Sequence, residues 1–215
     1  MIIDIQSNFK DVQRQLDGLQ KDIAASAMAS ALNKTIALAK TAMSVQIRKE
    51  FVMSASDVRD ALTITRASAT GGAIRMQASL QSPRKRGRSL NMIRFMERST
   101  SMAESRRRGK AGTRNQLFVQ IKRKGGKKAM GQAFIGNKGR TMFIRVSGTT
   151  MGSRSKYSGT KHAEQIVARQ TIDVASMFNT KRVNAVVVQM LYDRFPGIFT
   201  NDVRYFTDRF NAKAA

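Results

Sequence analysis

The first fifty residues carry apolar side chains at spacings of three to five, a pattern typical of one face of an α-helix. The stripe begins at Phe9 and ends at Phe51. It predicts one helix of about 40 residues, or two helices separated near Asn33. Residues 24–33 carry no charge and are nearly all Ala, Ser or Met. Because small side chains let another backbone approach closely, we expect this section to be buried on more than one side. A coiled coil fits less well, since the spacing drifts from a strict heptad.

Shorter elements follow the long helix. Residues 54–57 (Ser-Ala-Ser-Asp) predict the start of a second helix, in which Val58 and Leu62 face inward. Residues 63–65 and 74–80 alternate apolar and polar side chains in the manner of strands. Residues 83–115 predict a long arginine-rich loop that contains a short strand or helical turn around Phe95, and a loop of that length is usually functional or disordered.

A three-strand meander is predicted next. Residues 117–121 alternate as the first strand, residues 130–135 form the second, and residues 142–146 alternate as the third. Turns are expected at 125–126 and 137–139, where glycine and asparagine are found. Residues 148–160 are polar and contain glycine, so they predict a surface loop.

The tail of the chain returns to a helical pattern. Its inward stripe consists of Val183, Val187, Met190 or Leu191, and Phe195. Pro196-Gly197 should stop this helix, and Asp202 should begin a last one. Together the elements predict an α+β fold, with a long N-terminal helix packed on a small, mainly antiparallel sheet and with C-terminal helices. We expect a single domain over 1–215, made of a long helical arm (1–53), a basic strand-and-loop region (54–162) and the C-terminal helices (163–215).

The charge of the chain is high and unevenly distributed. Its 39 Lys and Arg against 14 Asp and Glu give +25, while 41% hydrophobic residues still allow a core. Residues 82–162 hold 22 of the bases and only two acids, Glu97 and Glu104, so this stretch carries +20 and the rest of the chain +5. A concentration of this kind indicates a polyanionic partner.

Thirteen basic residues in three clusters are the candidate contacts, all on predicted loops or turns: Arg84, Lys85, Arg86, Arg88; Arg106, Arg107, Arg108, Lys110; Lys122, Arg123, Lys124, Lys127 and Lys128. They fit a solvated basic surface, a docking face for an anionic protein, or a nucleic-acid contact, and the charge density favours nucleic acid. Aromatic residues do not alternate with the clusters, and no helix-turn-helix or zinc-finger pattern is present. Contact with phosphates, without base stacking or sequence readout, is therefore expected.

Candidate catalytic and metal-binding residues are lacking. There is no Cys and one His, His162, which lies in a polar stretch, and the acids are scattered along the predicted helices. Residues 125–128 (Gly-Gly-Lys-Lys) lack the ending of a phosphate-binding loop and suit a hairpin turn. The sequence predicts no enzyme activity, no cofactor, no metal and no small-molecule substrate. The absence of an export signal or a long apolar run argues against a membrane location.

Several segments in a fixed order carry a family resemblance. They are ALNKTIALAKTA (31–42), SASDVRDALTITRAS (54–68), GQAFIGN (131–137), TMFIRV (141–146), and DVASMF (173–178) leading to RFPGIF (194–199). This order resembles the minor tail protein Z family of lambda-like tailed bacteriophages and prophages. That family is similar in turn to the tail-completion proteins of the head-to-tail neck.

The resemblance implies a non-enzymatic structural protein of the virion, made in the host bacterial cytoplasm and acting late in tail assembly. The implied partners are the tail terminator and other neck or tail proteins. We expect a homo-oligomeric ring that meets viral double-stranded DNA for end retention or passage. The arginine clusters between residues 84 and 110 are heavier than the family pattern requires, so the DNA contact is inferred from charge. Two alternatives are a free, sequence-nonspecific nucleic-acid-binding protein and a clamp that docks on acidic faces of neighbouring tail proteins.

Overall fold

The computed structural model describes residues 2–5, 21–69, 76–83, 90–96, 117–130, 133–150 and 164–214. The chain forms two compact units. The first unit consists of Met1–Arg48, Ser54–Lys85 and Val174–Ala215, and the second consists of Lys49–Met53 and Arg86–Asp173.

The described elements confirm the α+β class. The helices are α1 (Lys21–Glu50), α2 (Ala55–Asp60), α3 (Val174–Phe178) and α4 (Lys181–Ala214). The strands are β1 (Ile2–Ile5), β2 (Thr63–Thr65), β3 (Ala78–Gln81), β4 (Leu90–Asn91), β5 (Leu117–Val119), β6 (Lys128–Met130), β7 (Ala133–Gly136), β8 (Thr141–Thr150), β9 (Glu164–Ala168) and β10 (Gln170–Thr171). Two short 3₁₀ helices cover Met92–Phe95 and Asn137–Gly139. The strand pairs form four small sheets, in the orders β1-β3-β2, β10-β4, β5-β6 and β7-β8-β9, and every pair is antiparallel.

The long N-terminal helix is observed as α1, which runs without a break through Asn33. Of the two alternatives, a single helix is observed and a break near Asn33 is wrong, while the predicted start at Phe9 lies outside the described residues. Asn33 is accommodated because its side-chain amide pairs with the backbone of Ala67: the amide donates to the carbonyl and the N–H of Ala67 donates back, both at 2.9 Å. This pair fixes α1 to the segment after β2.

The section of α1 between residues 24 and 33 is buried over a broad arc. Ala27, Met28, Ala29, Ala31 and Leu32 are all buried. Successive helical residues are rotated by about 100°, so neighbouring buried positions cover more than one side of the helix. The expectation from the small side chains is confirmed.

The second helix begins as its sequence indicates. The Ser54 hydroxyl accepts a hydrogen bond from the N–H of Asp57 at 3.1 Å, which makes Ser54 the N-cap of α2. Val58 and Leu62 are both buried. The first strand predicted next is observed as β2, which pairs with β3. The second strand begins at Ala78 and not at residue 74: residues 76 and 77 are not in a strand, and residues 74 and 75 lie outside the described part of the chain.

Two predictions about the C-terminal helices are wrong. α4 does not stop at Pro196-Gly197 but continues through it, and Asp202 lies inside α4 and does not begin a new helix. Phe195 and Phe199 explain the continuation, because both are fully buried and their rings stack 6.1 Å apart. Burying a phenylalanine contributes about 1.5–3 kcal/mol, so the pair offsets the cost of about 3 kcal/mol for a proline inside a helix. In the inward stripe Leu191, rather than Met190, is the buried residue.

Pro196→Ala should stabilise the protein. Alanine restores the missing N–H and removes the ring, so we expect the free energy of unfolding to rise by about 1 kcal/mol or more. Thermal unfolding measures the shift. Gly197→Ala is the matched reference, because a Cβ at position 197 meets open space and reports helix propensity alone. A lower midpoint for Pro196→Ala than for the wild type would show that the proline ring itself supports the packing.

The predicted meander is wrong, because its second strand is two strands in different sheets. β6 pairs with β5, whereas β7 pairs with β8. The apolar positions explain the division. Met130 and Ala133 are three residues apart, which does not fit the two-residue period of a single strand. Ala133 nevertheless belongs to the core of the second unit with Leu117, Val119 and Met142, and the half-buried Met130 packs against that core.

The second unit contains strands where a surface loop and C-terminal helices were expected. β8 extends to Thr150, so residues 148–150 are strand rather than surface loop, and residues 151–160 lie outside the described part. β9 pairs with β8, and β10 pairs with β4. The region predicted as C-terminal helices therefore opens with two strands. The short strand and helical turn expected near Phe95 are both present, as β4 and the first 3₁₀ helix.

Candidate nucleic-acid interface

Five of the thirteen candidate basic residues are described. Four lie in the turn between β5 and β6, as predicted, whereas Lys128 is the first residue of β6 and not part of a turn. The five are Lys122, Arg123, Lys124, Lys127 and Lys128, and each is exposed. We call residues 122–128 the basic turn. The other eight lie outside the described residues: Arg84, Lys85, Arg86, Arg88, Arg106, Arg107, Arg108 and Lys110.

Backbone hydrogen bonds attach the basic turn to the C-terminal end of α1. The N–H of Arg123 donates to the carbonyl of Glu50 at 2.8 Å, and the N–H of Val52 donates to the carbonyl of Ile121 at 2.9 Å. The last carbonyls of a helix have no donor within the helix. The turn supplies one for Glu50 and so caps α1.

Further hydrogen bonds fix the turn internally. The N–H of Gly125 donates to the carbonyl of Lys122 at 3.0 Å and closes a four-residue turn. The side-chain amide of Gln120 donates to the carbonyls of Arg123 and Gly125, at 3.0 and 2.9 Å. Gln120 is itself held, because its N–H donates to the carbonyl of Phe95 at 2.9 Å.

The side chains on this fixed backbone are almost purely cationic. Residues 120–128 contain five Lys or Arg, no acid and no aromatic residue. Positive charge near the C-terminal end of a helix is favourable, by about 0.3–1 kcal/mol per group at an exposed site. The effect falls off within the last turn of the helix. Five exposed cations exceed what the helix end requires.

The two units differ in net charge. The second unit holds 22 Lys and Arg against 5 Asp and Glu, a net +17, whereas the first holds 17 against 9, a net +8. The segments that form the second unit therefore carry about two thirds of the excess charge. Their described residues also include a second exposed basic pair, Lys138 and Arg140, in the turn between β7 and β8.

A family model decides the identity. Residues 9–196 of the 215 match the model of prophage minor tail protein Z. The chain belongs to this family. The resemblance read from the ordered segments is thereby confirmed, and the protein is a structural minor tail protein of a phage. No curated protein and no solved structure matches the chain.

Membership in a tail protein family implies contact with other tail proteins and a place in the virion. Within the described stretches of this tail protein, no group of three or more His, Asp or Glu side chains could hold a metal ion. His162 lies outside those stretches. None of the described helices is both long and apolar enough to cross a membrane.

Sequence reasoning missed Gln120 and the basic pair Lys138 and Arg140. No sequence pattern marks Gln120, because its role depends on where two carbonyls of the folded turn lie. A signal existed for Lys138, since the predicted turn at 137–139 is observed. Lys138 adopts the left-handed conformation there, with φ of 53°.

Proposed function

We propose that the protein completes the tail end in the neck of the virion and contacts double-stranded DNA through the thirteen candidate basic residues of its middle region. The observation that carries the proposal is the basic turn, in which five exposed cations lie on a hydrogen-bonded backbone with no acid among them. The eight candidate cations that lie outside the described residues, from Arg84 to Lys110, are the other proposed contacts.

Phosphate contact is the chemistry that these residues support. Lys and Arg neutralise backbone phosphates and release condensed counterions, which gives affinity without sequence readout. Bases stack on exposed aromatic rings in single-strand binders, and residues 120–128 offer none. The proposed ligand is therefore the duplex backbone.

The proposed assembly is a ring of copies beside the tail terminator and other neck proteins. In a ring each copy would present its basic middle region, and the repeated positive charge would line a lumen or rim. A field of this kind holds a DNA end without reading its sequence.

The salt dependence of duplex binding tests the proposal. Lys124→Gln with Lys128→Gln should flatten the plot of log affinity against log salt by about 2 units, because each phosphate contact contributes about 0.9. Lys138→Gln with Arg140→Gln removes the same charge from the other turn and should leave the slope unchanged. Fluorescence anisotropy with random-sequence duplex measures both. Equal flattening by the two pairs would mean a diffuse basic surface and contradict the proposal.

The arginine cluster at 106–108 is tested in the same assay and in the phage. Its triple glutamine variant should flatten the slope by about 2–3 units without any sequence preference. In a virion, tails should still assemble and join while the DNA end is held poorly and infectivity falls. A protein clamp predicts the opposite, with joining lost and duplex affinity negligible from the start. Intact infectivity would remove this cluster from the proposed interface.

A further inference from the structure

We infer that Gln120 is the positioning residue of the basic turn, which holds the exposed cations in a fixed arrangement for a run of phosphates. The inference rests on the proposed DNA contact and adds a neutral residue to it. Gln120 donates both of its side-chain hydrogen bonds into the turn, to the carbonyls of Arg123 and Gly125.

The two hydrogen bonds reach across the tip of the turn. Arg123 and Lys124 occupy its central positions, between Lys122 and Gly125. Because one amide group bonds the carbonyls of Arg123 and Gly125, the backbone on both sides of Lys124 is held to the same point. That point is held in turn, since the N–H of Gln120 bonds the carbonyl of Phe95 at 2.9 Å.

An arrangement of this kind serves binding more than folding. The hydrogen bonds of Gln120 lie at an exposed site, where they compete with water and contribute little to stability. Their effect on binding is larger, because a turn that is already ordered loses less conformational entropy when its long side chains engage a ligand. Lysine side chains on a loose loop would meet the same phosphates at a higher entropic cost.

Gln120→Met tests the positioning of the turn without changing its charge. Methionine has a similar length but cannot donate, and every cation remains. The number of phosphate contacts should be unchanged, so the salt slope stays at the wild-type value. The dissociation constant for duplex should rise about five- to tenfold, because the turn must be ordered on binding. The lysine pair variant changes the slope itself, so the two effects are distinct.

The experiment uses the full chain, a random-sequence duplex and at least four salt concentrations. Gln120→Ala is the second variant, and Gln189→Met on α4 is the matched control, since it also removes an exposed side-chain amide bond. Faster hydrogen exchange at the Gly125 N–H, with a thermal midpoint near wild type, should accompany the loss of affinity. If Gln120 contributed only to overall stability, affinity and exchange at the Gly125 N–H would not change while the thermal midpoint stayed near wild type.

The possible outcomes separate the role of Gln120 from the DNA contact itself. Wild-type affinity in both Gln120 variants, while the lysine pair still flattens the slope, overturns the role of Gln120 and leaves the DNA contact standing. A flattened slope in Gln120→Met overturns it as well, because contacts would then have been lost. Absence of duplex binding by the wild-type chain, or binding of an acidic peptide in its place, overturns both the proposed function and the inference.

Discussion

Replacing Ala27 or Ala31 with arginine should prevent folding or lower the free energy of unfolding by about 4 kcal/mol or more. Both residues are completely buried in α1, with 0% of their surface exposed. A guanidinium at either position would be far larger than the methyl group it replaces and would be left without a counter-charge. Urea unfolding and the yield of soluble protein measure the effect.

Ala37→Arg is the matched control, because Ala37 lies in the same helix and is exposed. It makes the same chemical change with the same effect on helix propensity, so its stability should remain within about 0.5 kcal/mol of the wild type. If Ala27→Arg unfolds at the same urea concentration as Ala37→Arg, the broad buried arc of α1 is wrong.

Lys34→Met should cost about 3 kcal/mol through the carboxylate it leaves behind. Lys34 forms an ion pair with Asp202, which joins α1 to α4. The Lys34 side chain is 59% exposed, whereas that of Asp202 is 3% exposed. The second carboxylate oxygen of Asp202 has no hydrogen-bond partner among the described residues. Without Lys34, a buried charge would therefore have no compensation.

The double variant Lys34→Met with Asp202→Leu is the control. The double variant removes the buried carboxylate together with its partner, and such a replacement by apolar side chains is often neutral, so most of the lost stability should return. A double-mutant cycle by urea unfolding gives the coupling between the two residues. If Lys34→Met unfolds within 0.5 kcal/mol of the wild type, which is about the spread of neutral surface substitutions, the pair contributes nothing to stability.

Local signals in the sequence predicted local structure. The stripe of α1, the Ser54 cap of α2 and the turn at 137–139 depend on residues a few positions apart, and all three are observed. Packing between distant residues overrode local rules elsewhere. Proline should end a helix, but the two buried phenylalanines beside it extend α4.

Some residues of the candidate site could also be identified from the sequence, and others only from the fold. Charge is a property of composition, so the five cations of the basic turn could be identified without a fold. The residues that position them could not. Gln120 acts on carbonyls of the folded turn, and the Glu50 carbonyl reaches a donor at Arg123 only because residues 49–53 pair with the β5–β6 hairpin within the second unit. Asn33 and Asp202 likewise find their partners far along the chain.

The capping of α1 by the basic turn has a consequence for the newborn chain. The carbonyl of Glu50 cannot form its hydrogen bond until the N–H of Arg123 has been synthesised, 73 residues later. At about 5–20 residues per second, that delay is on the order of 4–15 s. Throughout this interval the Glu50 carbonyl lacks that donor, so we expect the last turn of α1 to fray until the β5–β6 hairpin has been made. The acid that pairs with Lys34 arrives later still, when α4 emerges.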